Sequence, residues 1–412
     1  MQYLVIGIMG FMTVFNVFVD TLNYRFRNKA LPDNVKDLYD GKKYSSWLKY
    51  TMENFRLNTI DNVVMSLIWI ILLVSGFFGA LERFVVGLTG SETMQIVIFL
   101  WFVYLVMTII GIPFRYYRTF VIEEKYGFNK TTPGLFFFDQ LKTLVLVSLL
   151  GGAVVMLLGT ILIAFGEKTV LSLSISYGAI VLLTLLVFFL SGVFIRAFNK
   201  LKPLEEGSLK QQIHELATRL GFSIKRIYVM DASKRSTKLN AFFTGLGKTR
   251  EVALYDTLVE KMSEAEILAV LAHELGHATN KDSWKMLIRQ DLVFAVYVVL
   301  LGVILRTETL FTDFGLSGIN YGFALLLLMF LIEPIDTLLG ILTNHLSRVA
   351  EYKADAFAKK QTDSGSIQGA LKILAIENYS NLTPHPLYQL LHYTHPSISK
   401  RLAVLEDNIE KT

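Results

Sequence analysis

Thr143-Leu144-Val145-Leu146-Val147-Ser148-Leu149-Leu150-Gly151-Gly152-Ala153-Val154-Val155-Met156-Leu157-Leu158-Gly159-Thr160-Ile161-Leu162-Ile163-Ala164-Phe165 decides the class of this chain. It carries no charged side chain and exceeds the roughly 18 apolar residues that a helix needs to cross a bilayer. Four similar runs lie outward from it: Leu4–Val19, Val63–Leu81, Met94–Phe114 and Ile175–Ile195. Two more are interrupted: Met286–Leu305 begins with Arg289 and Asp291, and Tyr321–Leu342 carries Glu333, Pro334 and Asp336. Seven transmembrane helices are therefore expected. A hydrophobic content of 53% over 412 residues agrees with a polytopic membrane protein.

The loop charges test that count independently, because cytoplasmic connections are enriched in Lys and Arg. The connection after the first run holds Arg25, Arg27, Lys29, Lys36, Lys42, Lys43, Lys49 and Arg56. The one after the third holds Arg115, Arg118, Lys125, Lys130 and Lys142, whereas those after the second, fourth and sixth offer only Arg83, Lys168 and Arg306. The alternation places the N-terminus outside and the C-terminus inside. Most of the net charge of +5 thus belongs to topology, and no Lys/Arg block with interleaved aromatics points to nucleic acid. The N-terminal apolar run lacks a basic leader and a small-residue cleavage site, so it reads as a retained span. The C-terminal residues match no retention or lipidation signal. With no cysteine, disulfides and thiolate metal sites are excluded, and a zinc ion must be held by nitrogen and oxygen.

The expected organisation is a transmembrane region at 1–198, a cytoplasmic catalytic segment at 199–285, two spans at 286–342 and a C-terminal catalytic segment at 343–412. The two polar segments face the same side and can share one small α+β unit. Within it, Gln211–Leu220 reads as a helix closed by Gly221, and Arg226–Met230 and Glu251–Tyr255 as strands flanking the turn-rich Asp231–Lys238. No internal repeat is evident, which argues against repeat-built transporter folds.

His273-Glu274-Leu275-Gly276-His277 is the chemical signal. Ser263-Glu264-Ala265-Glu266 forms a capping box ahead of it, and Ile267, Val270 and Leu271 continue an apolar helical face. Residues four apart share a helix face, so both imidazoles reach one ion while Glu274 points at water. His214-Glu215-Leu216-Ala217-Thr218 lacks the second histidine and reads as a solvated helix face.

A hydrolytic zinc site needs a third protein ligand and an open fourth position. Glu351, in Arg348-Val349-Ala350-Glu351-Tyr352-Lys353-Ala354-Asp355, arrives on the same side of the bilayer once the sixth and seventh spans form an antiparallel hairpin. Asp355 lies one turn further on the same face, placed to accept the spare N–H of a zinc histidine. Glu333 and Asp336 are costly against lipid, so they are expected to face a water-containing interior or a partner.

At these residues the chain resembles the type I CAAX prenyl proteases, integral membrane zinc metallopeptidases that remove the last three residues of prenylated proteins. The likeness extends to Leu31-Pro32, to Glu123-Glu124-Lys125-Tyr126-Gly127-Phe128-Asn129-Lys130-Thr131-Thr132, to Asn240-Ala241-Phe242-Phe243-Thr244-Gly245 and to Ala354-Asp355-Ala356-Phe357-Ala358. It covers nearly the whole chain. The resemblance implies a seven-span helical barrel around a large chamber, with the zinc at its cytoplasmic end; a wet chamber suits a lipid-bearing substrate. It also implies that His395, in His392-Tyr393-Thr394-His395-Pro396, hydrogen-bonds the tetrahedral intermediate, and that Asn240 lies on an edge strand that pairs with substrate backbone. Arg401, which follows, is carried over as a substrate contact.

The expected protein is a mainly α, polytopic zinc metalloendopeptidase with one Zn²⁺ per chain. His273, His277 and Glu351 are its ligands, Glu274 the general base, Asp355 an orienting group, and His395 the oxyanion donor. Its partners are a peptide or protein substrate, prenylated by the resemblance, and the lipid bilayer. The membrane is the endoplasmic reticulum in a eukaryote and the inner membrane in a bacterium. The alternatives are a membrane quality-control zinc protease without prenyl specificity, and a transporter carrying the motif by chance.

Overall fold

The computed structural model describes residues 1–244 and 250–407. Its N-terminal half runs α1 (Gln2–Phe26), α2 (Gly41–Val74), α3 (Phe77–Leu88), α4 (Glu92–Tyr117), a wider π-type segment Arg118–Glu123, α5 (Pro133–Ala164) and α6 (Thr169–Phe198). Next come β1 (Leu201–Pro203), α7 (Ser208–Arg219), β2 (Ile224–Met230), β3 (Ala241–Thr244), β4 (Arg250–Tyr255), α8 (Asp256–Lys261) and α9 (Glu264–Thr279). The chain finishes with α10 (Asp282–Leu305), α11 (Thr309–Thr312), α12 (Tyr321–Gln361), α13 (Ser364–Glu377), α14 (Pro386–His392) and α15 (Ile398–Asp407). Gly245 of the quoted Asn240–Gly245 motif lies outside the described residues.

Among the described residues, seven helices are long and apolar enough to span a membrane: α1, α2, α4 with its π-type extension, α5, α6, α10 and α12. Polar caps set several of their starts. Thr132 accepts from Leu135 N with Pro133 in the first turn of α5, Asp40 accepts from Lys43 N, and Asn320 accepts from Phe323 N. Neighbour contacts run α1–α2, α4–α5, α5–α6, α6–α10, α10–α12 and α12–α1, and the π-type segment touches α2. That sequence of contacts closes the seven helices into a barrel.

The second span differs from the apolar run read at Val63–Leu81. The helix begins at Gly41 and stops at Val74, because Gly76 takes a left-handed φ of 75° and turns the chain. The rest of the run belongs to α3, a separate helix. A side chain at Gly79 would come within 2.0 Å of the Gly315 carbonyl oxygen, so only glycine permits α3 to lie there. Glu82 is buried where α3 meets the start of α12, accepting from Ser317 N at 2.8 Å and Asn320 Nδ2 at 3.0 Å.

Three acids inside the spans are partnered across helices. Glu333 accepts from Asn16 Nδ2 at 2.8 Å, Asp336 from the Tyr297 hydroxyl, and Asp291 from the Thr184 hydroxyl at 2.8 Å. α12 accommodates Pro334 and continues unbroken to Gln361. The division at 342/343 therefore falls within one helix that carries chain from the membrane region straight to Glu351.

The α+β unit is built on a four-stranded sheet of order β1-β2-β4-β3, with β2 and β4 parallel and both edges antiparallel. α7 ends at Arg219, and Gly221 turns the chain with a φ of 76°. The core of this unit takes Leu254 from the sheet, Leu271 from α9 and Leu371 from α13. It also takes Val35, Tyr39 and Trp47 from the first connection. Residues before 50 thus belong to the catalytic core as well as to the membrane region.

Candidate metal centre

The capping box ahead of α9 is formed in both directions: Ser263 Oγ accepts from Glu266 N, and Glu266 Oε2 accepts from Ser263 N at 2.8 Å. Ile267, Leu271 and Leu275 bury one face of α9, and this orientation turns His273 and His277 toward α12. Gly276 sets the spacing. A side chain there would meet Ala354 Cα at 3.1 Å and Phe357 Cβ at 3.2 Å, so the missing side chain lets α12 approach closely enough to deliver Glu351.

His273 Nε2 and His277 Nε2 lie 3.2 Å apart, and Glu351 oxygens lie 3.4 Å and 3.3 Å from them respectively. With zinc bonds near 2.0–2.1 Å, the edge of a tetrahedron around the ion is about 3.3 Å. The two imidazole nitrogens and the Glu351 carboxylate, which meets His273 through Oε2 and His277 through Oε1, thus stand at spacings close to that edge. Their chemistry agrees. His273 Nδ1 is 2.9 Å from Asp355 Oδ1, and His277 Nδ1 is 3.0 Å from Asp282 Oδ2. Each Nδ1 thus donates to a carboxylate, which leaves two Nε2 lone pairs facing each other and calling for a cation between them. Glu351 Oε2 is buried and has no hydrogen bond among the described residues.

The electrostatics favour positive charge at this point. Burial alone would lower the His273 pKa, but hydrogen bonds to Asp355 and Glu351 outweigh it and raise it to about 9. His277 is raised against burial in the same way, first by Glu351 and then by Asp282. Burial pushes the Glu274 carboxyl upward, and the neighbouring imidazoles pull it partly back.

The other expected residues gather around this centre. Glu274, His395, Asn240 and Arg401 line a cavity of about 400 Å³ beside the donor set, with an apolar wall of Leu258, Val270, Ile367 and Leu371. His395 Nε2 lies 3.2 Å from Glu351 Oε1, and its Nδ1 lies 2.9 Å from the Thr394 hydroxyl. Arg401 is buried and grips Asp355 through two bonds, Nε to Oδ2 at 2.8 Å and Nη2 to Oδ1 at 2.6 Å; its Nη1 lies 3.5 Å from Glu351. Asn240 stands one residue before β3, at the sheet edge. His214 is exposed on α7.

Asp282 escaped the sequence reading. It sits only five residues after His277, but it belongs to the next helix and returns because Lys281 takes a left-handed φ of 56°. An acid just beyond an H-E-x-x-H helix was the available signal. Asp282→Ala is expected to weaken zinc affinity about 10–100-fold without removing a ligand. Competition with a calibrated chelator measures this, and unchanged affinity would exclude the bond from metal binding.

A zinc-hydrolase donor set on helices that rise from a seven-helix membrane barrel defines an integral membrane metallopeptidase. The model of Peptidase family M48 matches residues 203–409, and that described as CAAX prenyl protease N-terminal, five membrane helices, matches residues 20–200. The chain belongs to peptidase family M48, as a membrane zinc metalloprotease of the CAAX prenyl protease group. It is 31% identical to CAAX prenyl protease 1 of Saccharomyces cerevisiae over 98% of this chain and 95% of that one. With the probable CAAX prenyl protease 1 of Schizosaccharomyces pombe it shares 33% over 93% of this chain and 83% of the relative. The crystal structure of S. mikatae Ste24p superposes with a TM-score of 0.93 at 28% identity, covering 98% of this chain and 99% of that chain.

Proposed function

We propose that this protein removes the C-terminal tripeptide of prenylated proteins at the cytoplasmic face of a bilayer. The observation that carries this is the cluster of His273, His277 and the Glu351 carboxylate, with nearest donor atoms 3.2–3.4 Å apart, beside Glu274 on helices α9 and α12. His273, His277 and Glu351 would hold the ion, and Asp355 and Asp282 fix the two imidazoles through their Nδ1 atoms, leaving Nε2 as the donor. Zinc bound here supplies the Lewis acidity that lowers the pKa of water and polarises a scissile carbonyl. Glu274 takes the proton of the attacking water on its carboxylate and passes it to the leaving amine. With the Thr394 hydroxyl donating to His395 Nδ1, the ring proton sits on Nε2, which faces Glu351 Oε1 at 3.2 Å; once Glu351 is engaged with the ion, this N–H would donate to the developing oxyanion. Arg401 braces Asp355 from behind and places positive charge in the buried wall of the cavity.

Two features favour a short, apolar, membrane-anchored substrate. The cavity wall of Leu258, Val270, Ile367 and Leu371 suits aliphatic side chains, and α12 links the site directly to the bilayer-spanning barrel. The Lys/Arg-rich connections on the side of the catalytic unit support cytoplasmic sidedness, hence the endoplasmic reticulum in a eukaryote or the inner membrane in a bacterium. The relatives' own name, CAAX prenyl protease, points to the substrate class.

The test uses the full chain purified in detergent and two peptides of identical sequence, one farnesylated near its C-terminus. The farnesylated peptide alone is expected to release a tripeptide, chelation to stop the reaction, and added zinc to restore it. Equal cleavage of both peptides would overturn prenyl specificity in favour of a broader membrane protease.

A further inference from the structure

His395 is held through its backbone and not by packing. Its side chain is 64% exposed, and its ring is met by the Thr394 hydroxyl at Nδ1 and by Glu351 at Nε2. Burial does not fix such a ring, so the direction of Nε2 depends on what fastens the peptide units to either side. Both sides are fastened to α12. After His395, Pro396 and Ser397 are buried, the Arg401 N–H donates to Ser397 O at 3.0 Å, and the Arg401 side chain grips Asp355. Before it, the fastening is Arg348, which has no part in the chemistry described above.

Arg348 Nη1 donates to Tyr393 O at 2.6 Å and to Gln389 O at 3.2 Å. One turn earlier on α12, Asn344 Nδ2 donates to Leu391 O at 2.7 Å. α14 ends at His392, and the Tyr393 N–H closes it on Gln389 O. The last carbonyls of a helix lack partners within it and attract positive charge, and here side chains of α12 supply both. The bond to Tyr393 O reaches furthest. A peptide unit is planar, so the group that holds the Tyr393 carbonyl also orients the Thr394 N–H and the chain that follows. Thr394 in turn meets the imidazole. Arg348, Glu351 and Asp355 stand at i, i+3 and i+7 of α12, hence on one face. The turn that delivers the third metal ligand therefore also holds the segment that delivers His395, two residues ahead of the ring.

We infer that Arg348 is a positioning residue, which holds the Tyr393–Thr394 peptide so that His395 Nε2 meets the substrate carbonyl oxygen as it becomes tetrahedral. The inference rests on the proposed role of His395 and adds the group that keeps that histidine in register with Glu351. An oxyanion donor acts at about 2.7–3.1 Å from the developing charge. A misplacement of about 1 Å is therefore enough to forfeit much of its effect. Arg348 itself touches no substrate, so its loss falls on kcat and not on KM or zinc.

The experiment is a double-mutant cycle on the zinc-loaded full chain in detergent, with a lipidated peptide that wild type cleaves. His395→Ala is expected to lower kcat about 10²-fold. Arg348→Met should lower it about tenfold, with KM and zinc content within about twofold of wild type. In the His395→Ala background, Arg348→Met should change kcat by less than about twofold, because no imidazole is left to misplace. A second readout needs no turnover. The same peptide with a phosphinate in place of the scissile amide imitates the tetrahedral state; it should bind Arg348→Met about tenfold more weakly, while the lipidated product peptide binds as to wild type. Arg348→Lys keeps a charged donor on a shorter side chain; it should show an intermediate loss, and it enters the cycle if the methionine variant does not fold. Losses that multiply in the double variant, or an Arg348 variant at the wild-type rate beside a slow His395→Ala, would reduce Arg348 to a structural residue. His395→Ala at the wild-type rate would remove the histidine from the reaction and the inference with it.

Discussion

Replacing Glu274 by Gln lowers kcat by about 10³-fold, within the range that a positioned general base contributes, while zinc content stays that of the wild type. Gln keeps the shape of the side chain and loses only the ability to take a proton. Glu274 is not among the three grouped donors, so the ion should remain. Glu274 lines the cavity with the two histidines, where burial raises its proton affinity and the imidazoles restrain the rise. Such a group can accept a proton from water and return it to an amine. Metal analysis and single-turnover cleavage by the same preparation check the prediction. Wild-type turnover by a zinc-loaded Glu274→Gln protein would remove Glu274 from the mechanism.

Arg401→Met is expected to cost about 3–5 kcal/mol of stability, the loss seen when one partner of a buried ion pair is removed. Asp355 is 1% exposed and Arg401 8%, so water cannot take over the missing interaction. The bidentate grip also joins α15 to α12 directly behind His273, whose Nδ1 shares the same Asp355 oxygen. Zinc affinity should therefore fall together with stability. The double variant Arg401→Met/Asp355→Asn should recover part of the loss, because no uncompensated charge remains. Thermal unfolding followed by tryptophan fluorescence, with zinc release recorded in parallel, measures both effects. A single variant as stable as wild type would show that the pair contributes nothing net, and a double variant as poor as the summed singles would exclude charge compensation as the cause.

What the sequence determined by itself is what depends on near neighbours and on solvent. Apolar length alone marked seven membrane helices, since a bilayer imposes a length on each span independently of the others. The helix bearing His273 and His277 was legible because its capping box and its four-residue spacing are both local. Glu351 was reachable only through a topological step, the hairpin of α10 and α12. Tertiary structure alone decided the rest. The end of α2 depends on Gly76 and on the packing of Gly79 against Gly315, which no hydropathy profile registers. Trp47 joins the catalytic core from the first turns of α2, a stretch that reads as a membrane connection, Asp282 returns to His277 through the left-handed Lys281, and Asn378 meets Leu239 from 139 residues away. Contacts of that kind leave no periodic trace, because they are set by how closely packed helices and a sheet edge come together and not by the residues on either side in the chain.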